Sequence, residues 1–112
     1  MKVVVAGGRD FVPTAADRTW LKKELTKLAC TEVVSGTAKG ADKFGEEIAV
    51  TMGLNIKRFP ADWAMFGKGA GFKRNEEMAN YADAVILFPG GNGTKHMKRM
   101  AEVYKKVLIE RR

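Results

Sequence analysis

The sequence has few of the residues that build disulfides, metal sites or membrane spans. Among its 112 residues there is one cysteine, Cys30, and one histidine, His96, so neither an internal disulfide nor a Cys/His metal site is predicted. The longest apolar runs, Val3–Ala6 and Ala84–Phe88, are far shorter than the ~20 residues of a membrane helix or the core of a signal peptide. We therefore expect a cytoplasmic protein without metal or cofactor, in which Cys30 is an inert, half-buried thiol.

Two common nucleotide-binding signatures are also missing. A GxxxxGK(S/T) loop is absent, because Gly67-Lys68 is followed by Gly69 and Asp62 stands where the first glycine should be. No GxGxxG motif follows the first apolar run, so the standard dinucleotide fingerprint is absent as well. These absences exclude a P-loop nucleotide site and a standard dinucleotide site.

The composition is that of a soluble globular protein with a basic surface. Apolar residues make up 46% and charged residues 29% of the chain, and the length suits one domain spanning residues 1–112. The net charge is +7, and residues 95–112 hold seven basic against two acidic residues, a net of +5. Such a field favours nucleotides or nucleic acid as partners, although a helix face kept polar for solubility is the simpler explanation.

The apolar periodicity predicts alternating strands and helices. The predicted strands are Lys2–Ala6, Glu32–Ser35, Asn55–Phe59 and Ala84–Phe88. Residues 107–110 either finish the last helix or form a fifth, edge strand, and we favour the strand. This rhythm predicts an α/β fold, a Rossmann-like three-layer domain whose mostly parallel sheet has four or five strands.

The helices between these strands have recognisable ends. Thr14, with Asp17 three residues later, predicts a capping box at the start of the first helix, and Gly53 ends the second. We expect a loop over Pro60–Gly71 and a short helix over Lys73–Tyr81. The last helix is predicted from a stripe of apolar residues: Met97, Met100, Ala101, Tyr104 and, if the helix extends that far, Leu108.

Glycines cluster directly after three of the predicted strands: Gly7 and Gly8, then Gly36 and Gly40, then Gly90, Gly91 and Gly93. We expect the last two turns to follow neighbouring strands and to present main-chain N–H groups at helix N-termini, where phosphate binds favourably. The Thr94 hydroxyl would add a donor there. The alternative is that these glycines only punctuate tight strand-to-helix connections.

Three segments, AGGRDF (Ala6–Phe11), SGTAKGAD (Ser35–Asp42) and KRN…ADAVILFPGGNGT (Lys73–Thr94), together resemble the SLOG superfamily. That superfamily includes the DNA-processing protein DprA and the cytokinin-activating LOG phosphoribohydrolases, and the resemblance points to its small YspA/YpsA-related branch in bacteria and phages. It implies a Rossmannoid fold that binds a nucleotide or a nucleotide-derived ligand.

The resemblance also implies which residues bind the ligand. It assigns the phosphate and its surroundings to two glycine turns, to an Arg-Asn pair and to the GGR segment: Gly90, Gly91, Gly93, Thr94, Ser35, Gly36, Gly40, Arg74, Asn75, Gly8 and Arg9. Asp42 belongs to the family's site pattern, but a carboxylate at a helix start is also stabilised by the helix dipole.

The chain departs from the LOG enzymes at one position. Those enzymes carry PGGxGTxxE, and the glutamate position is here Met97, which can neither transfer a proton nor stabilise a cationic centre. Phosphoribohydrolase activity is therefore not carried over, although Asp42 and Glu76 are candidate catalytic carboxylates.

Three functions remain open from the sequence. The first is a nucleotide-binding module that senses or sequesters its ligand, with or without weak N-glycosidase activity. The second is a phosphoribohydrolase-type enzyme that cleaves nucleoside 5′-monophosphates, and the third is binding of single-stranded nucleic acid, as in DprA. We also expect a homodimer.

Some candidate residues have a structural explanation as strong as the functional one. Trp63 and Phe66 either stack on a base or close the core, and we favour the core. His96 is interpreted as a surface residue, and Lys39 as an exposed turn residue.

Overall fold

The chain folds around one five-stranded sheet in which every strand pair is parallel. The computed structural model describes all residues, Met1–Arg112. The strands are β1 (Lys2–Ala6), β2 (Glu32–Ser35), β3 (Asn55–Arg58), β4 (Ala84–Leu87) and β5 (Val107–Glu110). Their order is β3-β2-β1-β4-β5. The α/β class and the fifth strand are confirmed, while β3 and β4 each end one residue earlier than predicted.

Five helices connect the strands: α1 (Ala15–Lys27), α2 (Ala41–Met52), α3 (Trp63–Phe66), α4 (Ala70–Tyr81) and α5 (Asn92–Val103). The capping box is confirmed, because Thr14 Oγ1 accepts the Asp17 N–H at 3.1 Å while Asp17 Oδ2 accepts the Thr14 N–H at 2.8 Å. Gly53 ends α2 in a left-handed conformation, as predicted. None of these helices combines the length and the apolar character that crossing a bilayer requires.

The loop predicted over Pro60–Gly71 is wrong. This stretch holds α3 and a 3₁₀ turn at Gly67–Gly69, and α4 begins at Ala70, three residues before the predicted start. The Asp62 carboxylate caps α3 by accepting the N–H of Met65 at 3.0 Å. Three glycines within five residues lower the helix propensity of this stretch, so the pattern alone indicates a loop.

The last helix is shorter than its predicted stripe. It ends at Val103, so Tyr104 and Leu108 lie outside it, and the left-handed φ of +56° at Lys105 turns the chain into β5. Cys30 is half-buried as expected, and burial raises the pKa of its thiol.

Helices cover both faces of the sheet, which gives three layers. On one face, alternate residues of β1 such as Val3 and Val5 pack in one cluster with residues of α1 and α2. On the other face, Val4 and Ala6 pack in a second cluster with residues of α4 and α5. Because both faces of the central strands are covered, β1 and β4 are almost continuously apolar.

The strand order places a switch point between β1 and β4. From β1 the chain continues through α1 towards β2, and from β4 it continues through α5 towards β5 on the opposite side. In open α/β sheets ligands bind in the crevice that opens at the carboxyl ends of such strands. The prediction that the glycine turns after β2 and β4 follow neighbouring strands is wrong, because β1 lies between the two.

Close packing of α2 on β1 gives a test of this fold. A Cβ at Gly45 would lie 2.7 Å from Val5 Cβ. We expect Gly45→Ala to lower the free energy of unfolding by about 1–2 kcal/mol in urea denaturation, although alanine is the better helix former. The matched control is Gly69→Ala, where φ is −82° and a Cβ would meet no atom within 4 Å. It should change stability by less than about 0.5 kcal/mol; equal effects of the two substitutions would contradict the packing described here.

Candidate functional site

A cleft of about 920 Å³ opens at the switch point. Its walls come from the turns after β1, β2 and β4 and from the segment that runs from Pro60 to Asn75. The turns after β1 and β4 are joined directly, because the N–H of Gly8 donates to the carbonyl of Pro89 at 2.9 Å. Glycines of the turns after both β2 and β4 line the cleft, so these two turns face it from the same end of the sheet.

The N-terminus of α5 presents open main-chain amides to this cleft. No side chain caps this helix, and its first main-chain bond runs from the N–H of Lys95 to the carbonyl of Gly91 at 3.1 Å. The N–H groups of Asn92, Gly93 and Thr94 thus have no partner within the chain. A Cβ at Gly91 or Gly93 would meet no atom within 4 Å, so packing does not require glycine there. Bare backbone at these positions instead lets a ligand approach the positive end of the helix dipole.

The turn after β2 contributes differently. Gly36, Thr37 and Ala38 line the cleft, but the Thr37 N–H donates to Ser35 Oγ at 3.1 Å and the Ala38 N–H to Asp42 Oδ2 at 3.1 Å. These amides are therefore engaged within the chain. Thr37 has a φ of +67°, which is costly for a β-branched residue and is the kind of strain that clusters at ligand sites.

Two residues predicted for the phosphate site do not line the cleft. Ser35 is fully buried, and its hydroxyl donates to Glu46 Oε2 at 2.6 Å. Gly40 has a φ of +73°, and a Cβ there would lie 2.2 Å from the carbonyl oxygen of Gly8. That carbonyl accepts the N–H of Ala41 at 3.2 Å. Gly40 therefore allows the close backbone contact that joins the start of α2 to the turn after β1.

Arg74 reaches across the cleft from α4. Its Nη1 donates to the carbonyl of Gly36 and its Nε donates to Asn75 Oδ1 at 3.2 Å, while Nη2 has no partner in the chain. Burial lowers the pKa of the guanidinium, and the charge of Asp42 opposes that shift. A guanidinium held in this way remains charged and offers its free amino group to an anion.

Asp42 is a buried carboxyl in the wall of the cleft. Its side chain and that of Arg74 flank Gly36, and Asp42 Oδ2 and Arg74 Nη1 each lie 2.8 Å from where a Cβ of Gly36 would be. Burial raises the pKa of Asp42 to about 6, against the lowering effects of the Ala38 N–H and of Arg74. Shifted pKa values of this kind concentrate at functional sites.

Asn75 connects α4 to the start of α5. It is buried, and its Nδ2 donates to the carbonyl of Gly93 at 3.3 Å and lies 3.2 Å from His96 Nδ1. His96 is not a simple surface residue, because it is half-buried and its ring packs on Phe72 with the centroids 4.3 Å apart. Burial lowers the pKa of His96, which favours the neutral ring beside Asn75.

The remaining candidates divide between the cleft and its surroundings. Arg9 is exposed and lines the cleft, whereas Glu76 and Lys39 do not line it. Met97 is buried and also lines it, so an apolar side chain occupies the position of the LOG glutamate. No three His, Cys, Asp or Glu side chains are grouped so that they could hold a metal ion.

The expectation that Trp63 and Phe66 close the core is wrong. Trp63 is 59% exposed and Phe66 44% exposed, and α3 buries none of its residues. Trp63 lines the cleft, as do Phe72 and Lys68, which the sequence did not single out. The sequence could not place these three side chains in the cleft, because a stretch predicted as a loop gives no helix face on which to place them.

A family model, the YspA, cpYpsA-related SLOG family, matches residues 1–66, more than half of the chain. The chain belongs to this family. The matched stretch includes the turns after β1 and β2 with Arg9 and Asp42, but neither Arg74 nor the turn that starts α5. No curated protein and no solved structure matches the chain significantly. Membership of the SLOG family indicates nucleotide-related binding or processing in general terms.

The burial of Asp42 predicts a specific pH dependence of stability. Because its pKa is about 6 in the folded protein, against an ordinary value of 3.8, the folded state binds the proton more tightly than the unfolded chain does. Stability is therefore lost as the pH rises from about 4 to about 6. We expect Asp42→Asn to raise the free energy of unfolding at pH 7.5 by roughly 3 kcal/mol, an advantage that largely disappears near pH 4. Urea denaturation at the two pH values measures this, and an equal effect at both would contradict the assignment.

Proposed function

We propose that the protein binds a nucleotide, or a nucleotide-derived ligand with a phosphate, in this cleft and acts as a sensor or sequestering module. The observation that carries the proposal is the open N-terminus of α5, whose unpartnered N–H groups face the same cleft as the free Nη2 of Arg74. Main-chain amides and a guanidinium are the two groups that proteins most often use for phosphate.

Charge and size support the same ligand. Three cationic side chains line the cleft, Arg9, Lys68 and Arg74, against the two carboxyls of Asp10 and Asp42. The partial positive charge of α5 adds to that excess. A volume of about 920 Å³ lies in the range of small-molecule sites and has room for a whole nucleotide.

A single charge placed at the start of α5 tests the proposal. Gly93→Asp puts a carboxylate where we expect the phosphate, and a Cβ there meets no other atom. A negative charge in the first turn stabilises a helix, so we expect unchanged or slightly higher stability without ligand. Binding of a nucleotide should weaken by at least about tenfold because like charges repel. Thermal shift and calorimetry with nucleoside 5′-monophosphates, cyclic dinucleotides and ADP-ribose derivatives measure both effects.

The control is Gly93→Asn, which has nearly the same shape without the charge. It should retain much more affinity than Gly93→Asp. If both variants bind as the wild type does, the ligand lies elsewhere, and if no phosphate ligand shifts the wild-type melting temperature, the proposal is wrong.

A second candidate function is hydrolysis of the N-glycosidic bond of a nucleoside 5′-monophosphate, favoured by the position of Asp42. A buried carboxyl with a pKa of about 6 in the cleft is protonated often enough to act as an acid. It would donate its proton to the base nitrogen as the C1′–N bond breaks and water adds to C1′ of the ribose, and the carboxylate would then take up the proton that the water loses. Asp42 would then supply the proton that Met97 cannot.

Release of base, followed by chromatography, tests this candidate. We expect Asp42→Asn to abolish it, and wild-type activity to fall as the pH rises through about 6 because the acid form is lost. Glu76→Gln is the control, since Glu76 does not line the cleft and its removal should leave the rate unchanged. Absence of base release from every nucleotide that binds would leave the protein a binding module.

The basic C-terminal segment offers fewer free cations to a nucleic acid than its composition suggests. Three of its seven cations are paired within the chain, Lys98 and Arg112 with Glu110 at 3.3 and 3.4 Å and Arg111 with Asp17 at 3.1 Å. Paired cations release fewer counterions when a polyanion binds.

A further inference from the structure

Two exposed aromatic side chains form one wall of the cleft, and no core contact explains them. Trp63 on α3 is 59% exposed and Phe72 on α4 is 50% exposed, and both line the cleft. Burial of a large aromatic side chain away from water is favourable, so this much exposure inside a concave site points to a missing apolar partner. We call this pair the aromatic wall.

The indole of Trp63 has space around it. It makes no ring–ring contact with any other aromatic residue of the chain. Its Cη2 atom lies 3.7 Å from the point where a Cβ at Gly71 would be, so the ring reaches over bare backbone of α4. Because Trp63 is 59% exposed and α3 buries none of its four residues, the fold leaves more than half of this residue uncovered.

The ring of Phe72 is linked to the anion-binding end of the cleft. It packs on His96 at a centroid distance of 4.3 Å and an interplanar angle of 32°. His96 Nδ1 lies 3.2 Å from Asn75 Nδ2, and the same amide donates to the carbonyl of Gly93 at 3.3 Å. A short series of contacts therefore positions Phe72 relative to the open amides of α5.

We propose that the aromatic wall binds the base of the ligand by stacking, while the phosphate lies at the N-terminus of α5. This inference rests on the proposed function and deepens it, because it restricts the ligand to a free nucleotide with an intact base. The cleft is complementary to both parts of such a ligand: it offers amides and cations for a phosphate and flat apolar rings for a base. A phosphorylated sugar without a base would leave the wall uncovered.

Tryptophan fluorescence reports directly on whether a ligand contacts Trp63. The chain has two tryptophans, and Trp20 packs edge-on against Phe88 at 5.5 Å, away from the cleft lining. In a Trp20→Phe background, the emission of Trp63 should be quenched by AMP and unchanged by ribose 5-phosphate. The wild type compared with Trp63→Phe gives the same information if the Trp20 variant does not fold.

A variant pair separates stacking from a general effect on α3. We expect Trp63→Ala to weaken AMP binding roughly tenfold and to leave ribose 5-phosphate binding unchanged, since stacking on one ring contributes about that much. The control is Phe66→Ala, because Phe66 is 44% exposed on the same helix but does not line the cleft. It should bind both ligands as the wild type does.

The outcomes separate the stacking inference from the proposed function. If AMP and ribose 5-phosphate bind equally well and Trp63→Ala changes neither, the stacking inference is overturned while the phosphate site stands. If neither of these two ligands nor any other nucleotide of the panel named above binds, the proposed function fails and the inference with it. If a single-stranded oligonucleotide quenches Trp63 at lower concentration than AMP does, the base belongs to a nucleic acid and the free nucleotide is excluded as the ligand.

Discussion

The backbone contact between the turns after β1 and β4 is the constraint on which the site depends. The N–H of Gly8 donates to the carbonyl of Pro89 at 2.9 Å, and the carbonyl of Gly8 accepts the N–H of Ala41 at 3.2 Å. One residue thereby ties the starts of α2 and α5 together at the switch point of the sheet. Side chains larger than hydrogen at Gly40 or Gly90 would collide with this junction, because a Cβ there would lie 2.2 Å from Gly8 O or 2.6 Å from Gly8 N. Gly40 and Gly90 are thus required by close backbone packing, whereas Gly91 and Gly93 are not and leave the backbone at the start of α5 accessible.

Two neighbouring opposite charges dominate the electrostatics of the cleft, the buried carboxyl of Asp42 and the half-buried guanidinium of Arg74. Arg74 and Asp42 both lose hydration, and each partly compensates the other. In the pH range where Asp42 ionises, this arrangement costs the fold stability, yet it keeps a guanidinium fixed with a free Nη2 beside the open helix end. Stability given up at a site is common where a protein must present polar groups to a ligand rather than satisfy them internally.

Much of the architecture can be predicted from the sequence because its signals are local. The β-branched runs of β1 and β4, the capping box at Thr14 and the glycine after α2 each act within a few residues. The site is harder to predict, since it depends on contacts distant in the chain. The pattern does not place β1 between β2 and β4, and it does not show the burial of Ser35 against Glu46 or the use of the Thr37 and Ala38 amides by neighbouring side chains. The start of α4 escapes prediction because Gly67, Gly69 and Gly71 weaken the helical pattern, and the positions of Trp63 and Phe72 escape with it.

Two sets of amides look equivalent in the sequence but differ in the structure: those of Asn92, Gly93 and Thr94 at the start of α5 have no partner in the chain, whereas those of Thr37 and Ala38 after β2 are already bonded. Amide chemical shifts of the ¹⁵N-labelled protein, followed during a titration with inorganic pyrophosphate, separate them most directly. We predict saturable shifts concentrated at Asn92, Gly93 and Thr94, with Thr37 and Ala38 nearly unmoved. Shifts that are strongest at Thr37 and Ala38, or absent from the start of α5, would contradict the proposed phosphate site.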